Sequence, residues 1–303
     1  MVKVPSVSVI IPFYGEAQLK QLNLVSKSIL SQEGVDVEFI VAGLKTAIRI
    51  NDLSDLSKCQ NGIVPEIVRM GAIINNGLRL AKGSFIYITD ADVLFLNKQY
   101  LKFLVQEYLT AEVPLKRPPM RRLFLQDFDW FYPTVFSKGL KEAIKLLDTS
   151  QEFVVKPLGT KKPMKVFSKF IDGINHLFIA SESDFQEYIS DENNKGSEPR
   201  YFNQDRHCGA IFASAKDIMD IGGYHEGFIS WGVWDFDAQW KLENQKGIKL
   251  IPYTKYFEVI HLDHDKTYFS KSKWEDDKKL QEIRKKIGFK ECINEDKKIF
   301  LNL

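Results

Sequence analysis

A chain of 303 residues with 44% hydrophobic and 13% aromatic content is long enough to bury one large core or two smaller ones. Lys and Arg total 42 against 40 Asp and Glu, and a net charge of +2 excludes the global basic field of a nucleic-acid binder. The 3 cysteines, Cys59, Cys208 and Cys292, are odd in number and far apart, which argues against a disulfide scaffold or zinc ribbon and fits a reducing compartment.

Met1 to Ser6 shows no charged stretch leading into an apolar core, and no window is apolar for long enough to cross a bilayer. The expectation is therefore a soluble, cytoplasmic protein. Val7 to Pro12 predicts a strand stopped by its proline, Phe13 to Glu16 a turn, and Leu19, Leu22, Val25, Ile29 and Leu30 a helix ending near Gly34. Val37 to Val41 is a second strand. The polar section 45–62 holds at most a short helix, and Ile63 to Met70 predicts a third strand with Pro65 near its start. Ala72 to Lys82 reads as a helix closed by Gly83.

Phe85-Ile86-Tyr87-Ile88-Thr89 then reads as a strand buried on both faces, and it ends abruptly in Asp90-Ala91-Asp92. The order of elements implies an α/β fold with a mostly parallel sheet and right-handed crossovers. In such sheets ligands bind outside the carboxyl ends of the strands. Alternate residues of an extended chain point the same way, so both carboxylates are expected to face one crevice. Hard oxygen ligands there suit Mg²⁺ or Mn²⁺ bridged to a phosphate. A solvated turn is the plainer reading of an isolated D-x-D.

Asn97 is placed to cap a helix through Leu101, Leu104, Val105 and Leu109. Lys116-Arg117-Pro118-Pro119-Met120-Arg121-Arg122 puts dense positive charge on a stiff, non-helical backbone. It is either a solvated surface or a contact for an anionic acceptor or membrane through Lys116, Arg117, Arg121 and Arg122. Residues 123–190 carry mixed signals, and 191–199 are a polar loop. Cys208 to Ala213 is a short strand, Ser214 and Asp217 a capping box, and Gly222-Gly223 a helix stop. Trp231-Gly232-Val233-Trp234-Asp235-Phe236-Asp237 opens another helix, stopped near Gly247. Strands over 248–251 and 257–260 follow, the second running into His261-Leu262-Asp263-His264-Asp265, and Lys271 to Lys286 is a charged amphipathic helix.

Four features in order, the opening strand with its turn, Asp90-Ala91-Asp92, the Trp-Gly segment with its acids, and His261, resemble the nucleotide-sugar glycosyltransferases of the GT-A fold. Val7 to Glu16 is similar to the opening of the large inverting family 2. Gly209 to Phe212, Gly222-Gly223-Tyr224, Trp231-Gly232 and Ile260-His261 with Asp265-Lys266 are similar to the carboxyl-terminal half of the beta-1,4-galactosyltransferases. The resemblance covers about 1–100 and 205–266. It implies a GT-A domain over 1–265, with a nucleotide-binding half (1–100), an insertion (101–204) and an acceptor and catalytic half (205–265), followed by a helical tail over 266–303.

Carried over by residue, the resemblance implies that Pro12, Tyr14, Glu16 and Asn75 border the base and ribose. Asp90 would meet the ribose or metal, and Asp92 with His261 would hold Mn²⁺ or Mg²⁺; His264 or Asp263 is the fallback ligand. Trp231, Gly232 and Asp237 would shape the sugar pocket, and Asp235 would be the catalytic base. The implied activity is inverting transfer of a hexose or N-acetylhexosamine, galactose or N-acetylgalactosamine favoured, from a UDP-sugar to a glycan or lipid-linked acceptor in surface polysaccharide or glycolipid assembly. Two departures stand out. Val41-Ala42-Gly43 lacks the acids that bind the base in family 2, and Val233-Trp234 replaces the Gly-Glu of the relatives' Trp-Gly-Gly-Glu-Asp. A non-catalytic glycan- or nucleotide-binding relative is the rival from another class. A sugar nucleotidyltransferase would need a Gly-rich, basic loop after the first strand, and Pro12-Phe13-Tyr14-Gly15 is not one.

Overall fold

The computed structural model describes residues 4–13, 18–59, 67–123, 128–147, 152–155, 164–171, 174–179, 209–230, 232–254, 256–262 and 270–301. In chain order the elements begin with β1 (Ser6–Pro12), α1 (Leu19–Leu30), β2 (Asp36–Ala42), β3 (Ala47–Arg49), a 3-10 helix (Leu53–Cys59), α2 (Met70–Leu80), β4 (Phe85–Ile88), β5 (Val93–Phe95) and α3 (Tyr100–Ala111). There follow β6 (Leu115–Lys116), β7 (Met120–Leu123), α4 (Phe128–Lys138), α5 (Leu140–Leu147), β8 (Glu152–Val155), β9 (Met164–Ile171) and β10 (Ile174–Ile179). The chain closes with β11 (Ile211–Ser214), α6 (Ala215–Asp220), α7 (Val233–Gln245), β12 (Lys249–Leu250), β13 (Val259–Leu262), α8 (Lys271–Ile287) and α9 (Phe289–Phe300).

The main sheet has 7 strands in the order β12-β6-β11-β4-β1-β2-β3. Its pairings run β12, β6, β4, β1 and β2 in one direction and only β11 and β3 in the other. This is the mostly parallel α/β arrangement that the GT-A resemblance implied, with β8, β9 and β10 forming a separate sheet within the inserted segment. A third sheet, β5-β13-β7, stands apart from the main one.

β1 lies between β4 and β2, and its alternating side chains feed two cores. Val7, Val9 and Ile11 join a cluster with Leu22, Val25, Leu101 and Leu104 from α1 and α3. Ile10 joins a cluster on the other face with Ile73 and Ile74 of α2, Trp234 and Leu242 of α7, and Ile293 and Phe300 of α9. The helical tail is thus two helices whose inner residues complete the second core.

Three local expectations are corrected. Where a strand was expected over Ile63–Met70, Met70 opens α2, residues 67–69 form no strand, and 63–66 lie outside the described residues. The edge place beside β2 is taken instead by β3, which folds back antiparallel. Asn97 does not cap α3 directly: Gln99 is the N-cap, and the Asn97 side chain accepts from the Gln99 N–H at 2.8 Å, two residues early. Nor is Asp90-Ala91-Asp92 extended. The chain leaves β4 at Ile88 and turns, with the Val93 N–H donating to the Asp90 carbonyl at 3.3 Å. None of the described helices is long and apolar enough to cross a membrane. Cys59 and Cys292 are buried free thiols, and Cys208 lies outside the described residues.

Candidate active site

The parallel register of β1 and β4 brings their carboxyl ends to one edge, where the Thr89 N–H donates to the Ile10 carbonyl at 3.2 Å. Pro12 is buried in that edge opposite Ala42. Tyr14, Glu16 and Trp231 lie outside the described residues, as do Asp263 and His264.

Asp92, buried, precedes β5, which pairs antiparallel with β13 so that Val93 stands opposite His261. The Leu262 N–H donates to the Asp92 carbonyl at 2.7 Å, and His261 Nε2 comes to 3.7 Å from Asp92 Oδ2. That separation is a little wider than the roughly 3 Å edge of an octahedron built on bonds of about 2.1 Å. A carboxylate with an imidazole is a donor set suited to Mn²⁺, so the pair fits the implied cation. Among the described residues no group of three or more His, Cys, Asp or Glu side chains is gathered to hold a metal. Asp90 is half-buried.

Asp235 sits in the first turn of α7, 3% exposed, where the helix dipole favours a negative charge. The helix is entered through Gly232 at φ 93°, the left-handed region that costs a side chain dear, although a Cβ there would meet open space. The requirement on Gly232 is therefore conformational rather than steric. Asp235 and Asp90 act on the same buried group: burial first, then the charges of these two acids, push the Tyr224 hydroxyl well above its ordinary pKa and keep it protonated.

Asn75 and Asp237 are engaged with the protein itself. The fully buried Asn75 amide donates to the Tyr224 carbonyl at 2.8 Å and accepts from the Tyr224 N–H at 2.9 Å. It thereby fixes the Gly222-Gly223 turn; at Gly223, φ 65°, a Cβ would lie 2.6 Å from the Asn75 Oδ1. Both Asp237 oxygens accept from Arg284 of α8, at 2.9 and 3.2 Å.

Lys116 and Arg117 are not a free patch. Lys116 belongs to β6, burial together with Arg117 lowers its pKa, and the Arg117 guanidinium lies 5.7 Å from the Phe236 ring of α7. Arg121 and Arg122 stand on β7 in register with Ile260 and His261. The basic stretch thus runs from the main sheet to the strand that carries His261.

The supporting residues that the sequence did not single out are on α8 and α9. Asp277 accepts from the N–H of Ile229, at 3.1 and 3.0 Å, and of Ser230, at 2.6 Å, just ahead of Gly232. Arg284 holds Asp237, just beyond Asp235. One helix therefore grips the chain on both sides of the candidate base. The available signal was that Asp277 and Arg284 recur with Trp274 and Leu280 at helical spacing, placing charge on what should be the buried stripe.

No protein-family model matches the chain, and no curated protein matches it. Among solved structures it is similar to the catalytic domain of Drosophila beta-1,4-galactosyltransferase 7 in complex with xylobiose, at 13% identity and a TM-score of 0.44 over 91% of this chain and 80% of that one. It is also similar to the mannosyltransferase PcManGT from Pyrobaculum calidifontis in complex with GDP-Man and Mn²⁺, at 14% and 0.46 over 98% and 70%. A third is S. aureus TarS 1-349 in complex with UDP, at 14% and 0.46 over 92% and 64%. The likeness is one of fold.

Proposed function

We propose that the chain is a metal-dependent, inverting glycosyltransferase that moves a hexose or N-acetylhexosamine, galactose or N-acetylgalactosamine favoured, from a UDP-sugar to a carbohydrate hydroxyl. The observation that carries this reading is the meeting of Asp92 and His261 at 3.7 Å just beyond the carboxyl end of β4. A strand-end acid paired with an imidazole is the chemistry of a diphosphate-bound cation. Asp92 and His261 would hold that cation, which when bound supplies Lewis-acid stabilisation of the charge on the departing diphosphate.

The remaining work falls to this chain's own side chains. The acceptor oxygen attacks the anomeric carbon as the bond to the diphosphate oxygen breaks, and the acceptor's proton passes to the Asp235 carboxylate. Attack from the face opposite the leaving group inverts the centre. Lys116 to Arg122, running beside the His261 strand, favours an acceptor that carries negative charge, such as a lipid-linked sugar.

The test is release of UDP from a panel of UDP-hexoses with Mn²⁺ and with a chelator. Release is expected to need the metal and to fall by about 10²-fold or more in Asp92→Ala, since a ligand of the charge-stabilising ion is lost. Equal release under chelation, or no release from any donor, contradicts the reading.

A further inference from the structure

The first turn of α7 carries the candidate base, yet nothing at the start of that helix fixes where it begins. Its N-cap is Gly232, which has no side chain to accept from the first-turn N–H groups. A Cβ built there would meet nothing within 4 Å among the described residues, and glycine at φ 93° is the most permissive residue. Neither a cap nor local packing sets the entry angle.

The hold comes from α8. Asp277, 2% exposed, turns both carboxylate oxygens to the N–H of Ile229, at 3.1 and 3.0 Å, and one of them to the N–H of Ser230, at 2.6 Å. Among the described residues it has no cationic partner, so backbone N–H groups alone meet its buried charge. A carboxylate buried without a cation is costly to a fold, and stability alone would be served as well by a neutral acceptor. What charge-assisted bonds to two adjacent N–H groups add is a fixed backbone path, two residues ahead of Gly232. Seven residues further on, on the same face of α8, Arg284 holds both oxygens of Asp237 at 2.9 and 3.2 Å. The span between the two grips contains Gly232 and Asp235.

We infer that Asp277 is a positioning residue for the proposed reaction: by fixing the backbone at Ile229 and Ser230 it sets where α7 starts, and so where Asp235 stands. The inference rests on the proposed function and adds to it a residue that acts through the base rather than on the substrate. It also makes α8 part of the catalytic unit, although α8 lies beyond the 1–265 segment to which the resemblance assigns the domain. The cation pair is held separately, by the ladder of β5 with β13, so a loss at Asp277 spares the nucleotide.

The experiment compares wild type, Asp277→Asn and Asp277→Ala in the presence of Mn²⁺. UDP titration counts the competent sites and gives their affinity, and UDP release from the UDP-hexose that wild type uses best gives kcat per site. In Asp277→Ala, kcat per site should fall by about 10- to 10²-fold, the scale of a misplaced reacting group, with KM and UDP affinity within about twofold. Asn can put its carbonyl oxygen where one carboxylate oxygen accepts from both N–H groups, so Asp277→Asn should lie between wild type and Asp277→Ala. The N–H groups of Ile229, Ser230 and the first turn of α7 should exchange with solvent faster in Asp277→Ala, with those of β1 and β4 unchanged. A purely structural Asp277 would lower the melting point or the number of UDP sites and leave kcat per site at the wild-type value, and that result overturns the inference. Unchanged exchange over 229–235 overturns it too. If Asp277→Ala does not fold, Asp277→Asn decides, and a kcat per site within about twofold of wild type overturns the inference. Wild type that neither binds UDP nor releases it from any UDP-hexose overturns the proposed function and this role with it; an active wild type matched by both variants overturns this role alone.

Discussion

Asp235→Asn is expected to lower turnover of the preferred donor by roughly 10²–10⁴-fold, the contribution of a positioned general base, with UDP affinity unchanged. The amide keeps the shape of the carboxylate but has no site for a proton. Asp235 lies in the first turn of α7, so its charge adds only about 0.3–1 kcal/mol to the fold through the helix dipole. Its N-cap, Gly232, and the clamps on Ile229, Ser230 and Asp237 are untouched by the substitution. The variant should therefore fold, bind UDP and fail at chemistry. Steady-state rates beside UDP titration decide the matter, and normal turnover in a folded Asp235→Asn would move the base elsewhere.

Arg284→Met should cost about 3–5 kcal/mol of stability, the loss seen when one partner of a buried ion pair is removed. The Arg284 side chain is 2% exposed and donates to both Asp237 oxygens and, at 2.6 Å, to Asp296 Oδ2. Lys241, fully buried, donates to the same Asp296 oxygen at 2.6 Å and to the carbonyls of Ile221 and Gly223, so the cluster ties α7, α8 and α9 to the Gly222-Gly223 turn. Without the guanidinium, two buried carboxylates are left with one ammonium. Urea denaturation reads the loss, and a change below about 1 kcal/mol would show that packing alone holds these helices.

The same cluster sets an acid limit. Burial alone would raise the Asp296 carboxyl, but the His225 hydrogen bond and the Lys241 and Arg284 charges outweigh it and hold the pKa at about 2. The folded-state value lies below that of the unfolded chain, so the unfolded state binds the extra proton. This contribution is complete above about pH 4 and is lost as the pH falls toward 2.

What could be read in advance followed from local rules. The apolar run Phe85 to Thr89 stops abruptly at Asp90, and β4 is where that run predicts a strand. Ser214 and Asp217 make the capping box their spacing announced, and Gly222 and Gly223 both adopt positive φ. What escaped depended on pairing between distant segments. β5 is a strand of 3 residues, too short to announce itself, yet its ladder with β13 is what sets His261 beside Asp92. The turn after Ile88 takes Asp90 and Asp92 out of the extended arrangement that the alternation of an extended chain predicts. On α8 the charges of Asp277 and Arg284 fall on the stripe that should be buried, and only the tertiary fold supplies the backbone N–H groups and carboxylates that satisfy them.

The claim on which the account turns is that Asp92 and His261 are ligands of one cation. Crystals of the chain with UDP and Mn²⁺, measured at the manganese absorption edge, address it directly. The account predicts an anomalous peak within bonding reach, about 2.0–2.3 Å, of a carboxylate oxygen of Asp92 and of His261 Nε2, with the diphosphate against it. A peak held by other residues, or bound UDP with no peak at this pair, would contradict it.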